Sequence, residues 1–228
     1  MAMLAAVFGF SFAKQLDLFL SIQNQLAAQD YPVGLTGYMS VRYLEPLALA
    51  FTLVAPLLAM RSFSDEFRQH TYALWQAAPV SAFELVIGKF LGVMAVLGLL
   101  ILLAVSLLLI MAAYVTIDTP LVISATLGLT LSAGACAACG VFFSSLTRQP
   151  LIAIVASLAL LLLSWMLGSA SFTSLPLQGL AQLSIASHLR GFFQGYIQSD
   201  DIAYFTLLIG LFLALSTVRV DTLRHTGS

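Results

Sequence analysis

Four small constellations in this sequence hold side chains able to do chemistry. Cys136 and Cys139 form a C-x-x-C, but two thiolates cannot complete a tetrahedral metal site. Cys136 also belongs to a ladder of small residues, Gly128, Ser132, Cys136 and Gly140, spaced every four positions. Such a stripe permits close helix approach, inside the chain or at a dimer or gate contact. Gly88 and Lys89 resemble the end of a phosphate-binding loop, yet Phe90 stands where Ser or Thr should hold magnesium and Phe83 where the first glycine should be. The chain therefore cannot be its own ATPase. His188 with Ser169 or Ser171 matches no nucleophile spacing and reads instead as a cap or anchor for a local helix. Lys14 and Asp17, three apart, can pair near an interface or serve as a gate.

The elements that must position these residues are membrane spans. Of 228 residues, 61% are hydrophobic and 8% charged, and the mean hydropathy is +1.01. Soluble domains carry roughly a quarter charged residues, so an all-α integral membrane fold is expected, in one transmembrane domain covering 1–228. The net charge of −1 leaves no basic surface for nucleic acid. The N-terminus lacks a charged n-region and a small-residue cleavage site, so it reads as a retained membrane segment.

Six spans are expected, at about 1–22, 46–61, 82–115, 120–143, 150–168 and 201–218. Pro46 opens the second and Pro56 should kink it. The third carries no charge from Phe90 to Ile117 and starts earlier, because Ser81 and Glu84 form a capping box that places its first residue at Ala82. Thr119 and Pro120 supply an N-cap and a first-position proline for the fourth, and Pro150 opens the fifth. Asp200 and Asp201 precede the sixth, at its positive end. Before it, Leu189, Phe192, Phe193, Tyr196 and Ile197 share helical spacing, which predicts a short helix at the outer leaflet. Trp165 and the tyrosines Tyr31, Tyr38, Tyr43, Tyr196 and Tyr204 fall near span ends, as aromatic belts do.

With six spans both termini share a side. Placing them in the cytoplasm puts six basic residues inside (Arg61, Arg68, Lys89, Arg148, Arg219, Arg224) and three outside or at the outer edge (Lys14, Arg42, Arg190), which obeys the positive-inside rule. On this topology the segment between spans two and three is cytoplasmic. Ser64 can cap a short helix whose first turn carries Asp65 and Glu66, and Pro79 stops it. Phe67, Thr71, Leu74 and Trp75 then share one apolar face, suited to a partner's groove or to lipid headgroups.

These residues carry a family resemblance. Asp65, Glu66, Arg68, Thr71, Pro79, Val80, Ser81, Glu84, Gly88, Lys89 and Phe90 are similar to the coupling-helix region of ABC-2 type transporter permeases, particularly the gliding-motility type. Ser144-Ser145-Leu146-Thr147-Arg148 and the residues Gly195, Ile197, Asp201, Tyr204 and Phe205 agree as well. The chain departs from the pattern at His70, where the family has Gly, and at Ala73, where Glu is common. Relatives also carry a charged amphipathic helix before span one, whereas this chain starts almost inside that span.

The resemblance implies a non-catalytic permease subunit of the bacterial inner membrane, an exporter or force-transmitting complex. It implies two copies of this chain with two copies of a separate ABC ATPase, and an accessory periplasmic or membrane subunit as a further candidate partner. ATP and magnesium are then expected in the ATPase, and no metal or cofactor in this chain. The expected ATPase contact is Asp65, Glu66, Phe67, Arg68, Thr71, Leu74 and Trp75. Pro79, Ser81 and Glu84 would start the following helix, and Thr147 and Arg148 would form a second cytoplasmic loop. The competing reading is a non-transporting membrane scaffold that anchors a cytoplasmic partner.

Overall fold

The computed structural model describes residues 2–27, 35–64, 66, 80–111, 115–169 and 183–226. Every element among them is helical, with no strand. Seven helices follow in order: α1 (Ala2–Ala27), α2 (Leu35–Ala59), α3 (Ala82–Ile110), α4 (Thr119–Leu146), α5 (Pro150–Ser169), α6 (Ile185–Phe193) and α7 (Ser199–Thr226). The long helices alternate in direction. One end of the bundle, here the proximal end, carries the turns at 60–64 and 147–149; the distal end carries the starts of α4 and α7.

Among the described residues, five helices are long and apolar enough to cross a bilayer: α2 to α5 and α7. The expected first span forms as α1 but is not among the five, so the count of six is not reached on length and apolarity alone. Lys14 and Asp17 sit in its middle, both exposed, with no ion pair between them. Its inner face is aromatic: Phe8 packs edge-on against Phe51 and Phe12 edge-on against Tyr43, while Phe19 meets Tyr38 at a tilt, so α1 lies antiparallel along α2.

The organising element is α4. It packs against α2, α3, α5, α6 and α7, and its sequence is rich in Gly, Ala, Ser and Cys. Without a Cβ at Gly140, α2 can approach closely: an added Cβ would stand 2.7 Å from Ala59 Cβ and 3.2 Å from Pro56 Cα. At Gly128 it would meet Phe192 Cβ at 2.6 Å. Cys136 faces Thr52 of α2, and all four ladder residues are buried within the chain. The ladder is thus intrachain packing, as small residues at membrane helix crossings generally are. Cys136 and Cys139 are free and buried.

Several expected boundaries move, each for a local reason. The second span begins at Leu35 and not Pro46, because a π-helical turn at Ser40–Leu44 carries the helix through polar Ser40, Arg42 and Glu45. Buried Pro56 sits inside that helix. The cap of α4 is Asp118 and not Thr119: Asp118 O already accepts from Val122 N, which closes the first turn one residue early and puts Pro120 at the second position. The same helix runs past Phe143 to Leu146, since Ser144 and Ser145 remain helical. Helix α3 ends at Ile110, not 115. Helix α7 runs from Ser199 to Thr226 and not only 201–218, with the next glycine at Gly227.

Candidate functional site

The described part of the expected coupling region is a polar joint at the proximal end, built from the last turn of α2, the end of α4 and the first turns of α3. Ser144 is its centre. Its hydroxyl donates to Met60 O (2.9 Å) and accepts from Phe63 N (3.0 Å) and Ser64 N (3.2 Å). That uses one donor and two lone pairs, the full capacity of a serine hydroxyl. Ser64 closes the ring by donating from Oγ to Ser144 O at 3.0 Å. Both serines are fully buried. Removing the Ser144 hydroxyl would leave two N–H groups and a carbonyl without their partner, at about 1–3 kcal/mol for each buried group left unsatisfied.

Two residues beyond Ser64, Glu66 forms an ion pair with Lys89 of α3. The Lys89 ammonium also lies 5.8 Å from the centroid of the Phe63 ring, a cation–π distance. The start of the segment after α2 is therefore held to α4 by hydroxyls and to α3 by charge. Further along, the capping box forms as expected: Ser81 N donates to Glu84 Oε2 at 2.8 Å and Glu84 N to Ser81 Oγ at 3.2 Å, and α3 begins at Ala82. Glu84 is exposed and its carboxylate is committed to the cap.

Of the expected contact residues, Glu66 is in the joint. Asp65, Phe67, Arg68, Thr71, Leu74, Trp75 and Pro79 lie outside the described residues. Thr147 and Arg148 lie in the turn between α4 and α5, where Thr147 Oγ1 donates to Gln149 O at 3.1 Å and Arg148 is exposed. The structure does not join that turn to Glu66 by any described hydrogen bond or ion pair. Ser64 was expected as a helix cap; its hydroxyl donates across to α4, and the turn it would cap lies outside the described residues. Ser144 itself was missed as a site residue, because a serine inside a helical run gives no local sign of a partner 80 positions away.

The distal end holds a second polar cluster. Ser184 caps α6, accepting from Ala186 N at 3.1 Å, and Gly195, at φ +86°, ends it. Tyr196 N donates to Gly191 O (2.9 Å) and Gly195 N to Phe192 O (3.2 Å), the paired bonds of a glycine-terminated helix. This fold-back sets α6 beside the start of α7. His188 Nδ1 lies 2.6 Å from Asp201 Oδ1, and its ring stacks on Tyr204 at 4.1 Å between centroids. Tyr204 in turn donates to Leu183 O at 2.7 Å. His188 therefore engages Asp201, and the serine-hydrolase geometry considered for it is not formed with any described serine.

Several aromatic expectations need correction here. Leu189, Phe192 and Phe193 bury against the bundle, but Tyr196 and Ile197 fall beyond the end of α6 and are exposed. Tyr43 is fully buried against Phe12, not at an interface. Trp165 donates from Nε1 to Thr52 Oγ1 at 3.0 Å, tying α5 to α2 inside the bundle. Only Asp201 is both charged and buried among the described residues, and none of them form a group that could hold a metal ion.

A family model described as "ABC-2 family transporter protein" matches residues 2–221. No curated protein matches the chain.

Proposed function

Because the chain belongs to the ABC-2 transporter family, we propose that it is the membrane-spanning permease subunit of an ATP-driven exporter or force-transmitting complex, worked by a separate ATPase through the segment 64–76. The observation that carries this reading is the family match across 2–221. A membrane setting and an ATPase partner follow from that family, whose permease is generally the non-catalytic component. The run from Asp65 to Phe90 favours the gliding-motility branch. In the complex two copies of this chain meet two ATPase subunits, in the bacterial inner membrane. Helix α1 serves as the sixth span, with both termini on the proximal side, where five of the eight described Lys and Arg residues fall.

ATP-driven closure of the ATPase pair displaces the segment 64–76, and the bundle conveys that movement into the bilayer. Glu66, already held by Lys89, sets the polar edge of the contact. Phe67, Leu74 and Trp75 provide an apolar face for a groove on the ATPase. The bundle interior suits a lipid-like or amphipathic cargo, since Asp201, its one described buried charge, is matched by His188.

The decisive test is a pull-down of the ATPase from detergent by wild type and by the Phe67→Ala, Trp75→Ala double variant. Loss of buried aromatics at an interface centre costs about 2 kcal/mol or more, roughly thirtyfold in affinity. Equal recovery would refute the contact. Because the ATPase is cytoplasmic, recovery through this segment also places the proximal end and both termini on that side.

A further inference from the structure

On the reading above, movement enters the membrane subunit just after Ser64, and the structure offers it two routes. One leads to α3 through Lys89 and Glu66, long side chains that are 30% and 26% exposed. Such a pair, made on long and partly exposed side chains, loses side-chain entropy to hold one geometry. The other leads to α4 through the Ser64–Ser144 ring. That joint is neutral, fully buried and made on short side chains, and three of its bonds are to backbone groups of the turn at 60–64. A fully satisfied buried network of this kind is the stiffer connection.

The two routes also differ in what they reach. Helix α4 contacts α2, α3, α5, α6 and α7. Its glycines leave no slack: Gly140 lies against Ala59 and Pro56, Gly134 against Ile209 of α7, and Gly128 against Phe192 of α6. Over its 28 residues, about 42 Å at 1.5 Å per residue, α4 spans the bundle from the proximal joint to the distal helix. By contrast, an added Cβ at Gly88, Gly92 or Gly98 of α3 would meet nothing within 4 Å.

We propose that Ser144 is the positioning residue through which displacement of the coupling segment reaches the bundle: it makes the turn at 60–64 and α4 move as one body, with α3 following through Lys89 and Glu66. This rests on the permease reading and adds the route of transmission to it.

The test uses the complex of this chain with its ATPase in lipid nanodiscs, reading ATP turnover relative to the free ATPase at matched subunit recovery. Ser144→Ala should retain the ATPase in pull-down yet lose about tenfold of the dependence of turnover on the membrane subunit, the usual size of a coupling between distant sites. Ser145→Ala controls for loss of a hydroxyl, because Ser145 is equally buried but among the described residues bonds only to Phe142 O of its own helix; it should leave coupling unchanged.

The two hydroxyl oxygens of Ser64 and Ser144 are 3.3 Å apart, so the Ser64→Cys, Ser144→Cys double variant provides a reversible joint. With the thiols reduced, coupling should fall. Diamide oxidation should restore it, with oxidised wild type as the control for the native Cys136 and Cys139. Coupling intact in Ser144→Ala, equal loss in Ser145→Ala, or loss on oxidising the cysteine pair would each overturn the role of Ser144 alone. Failure of wild type to recover any ATPase would overturn the permease reading, and this inference with it.

Discussion

Helices α3 and α4 have nearly the same length and are both almost free of charge, yet they occupy opposite environments. In α3 33% of the most apolar window is buried inside the protein; in α4 it is 67%. The Leu-rich helix is the outer one, with Leu91, Leu99, Leu102, Leu109 and Ile110 turned outward. The helix of Gly, Ala, Ser and Cys is the core. A soluble protein would arrange these the other way round. In a bilayer the lipid is as apolar as leucine, so burial confers little hydrophobic gain, and small residues that allow close contact collect at helix crossings.

The glycines of the two helices give a graded way to break this contrast, using one substitution and one readout, thermal unfolding in a single detergent. Of the three positions 140, 134 and 98, Gly140→Ala should be the most damaging, because its Cβ would meet the backbone-fixed Ala59 Cβ at 2.7 Å and Pro56 Cα at 3.2 Å; a loss of about 2–3 kcal/mol is expected for such overpacking. Gly134→Ala should cost about 1 kcal/mol or less, since the atom it meets, Ile209 Cδ1 at 3.0 Å, ends a flexible side chain. Gly98→Ala should be neutral or stabilise by up to about 1 kcal/mol, because nothing lies near and alanine is the better helix former. If Gly98→Ala destabilised as much as Gly140→Ala, the assignment of α4 as core and α3 as periphery would be wrong.

How much of this could be read from sequence depended on the range of the interaction. The start of α3 at Ala82 was legible because a capping box lies within four residues. The spacing of Gly128, Ser132, Cys136 and Gly140 showed a close-contact face, though not which neighbours it would meet. The early start of α2 was hidden: Thr36, Ser40, Arg42 and Glu45 interrupt the apolar run, and nothing local announces a π turn. The ring between Ser64 and Ser144 joins residues 80 positions apart through ordinary serines. The His188–Asp201 pair is more legible, because Gly195 between the two residues marks the reversal that brings them together.

The π turn at Ser40–Leu44 gives α2 two independent phases. Each residue of an α-helix advances about 100° around the axis and 1.5 Å along it, and a π turn takes in one residue beyond the α repeat. Residues 45–59 therefore keep Thr52, Ala55 and Ala59 turned toward α4 and α5, while residues 35–39 are indexed separately. That offset lets Thr36 accept from Asp118 N at 3.2 Å and lets Tyr38 meet Phe19. An unbroken helix of the same residues would carry both side chains more than a quarter of a revolution away. Deleting one residue between Ser40 and Leu44 would thus remove the extra residue, turn α2 into an unbroken α-helix and leave Thr36 and Tyr38 in their present phase, whereas adding one there would turn both away from their partners.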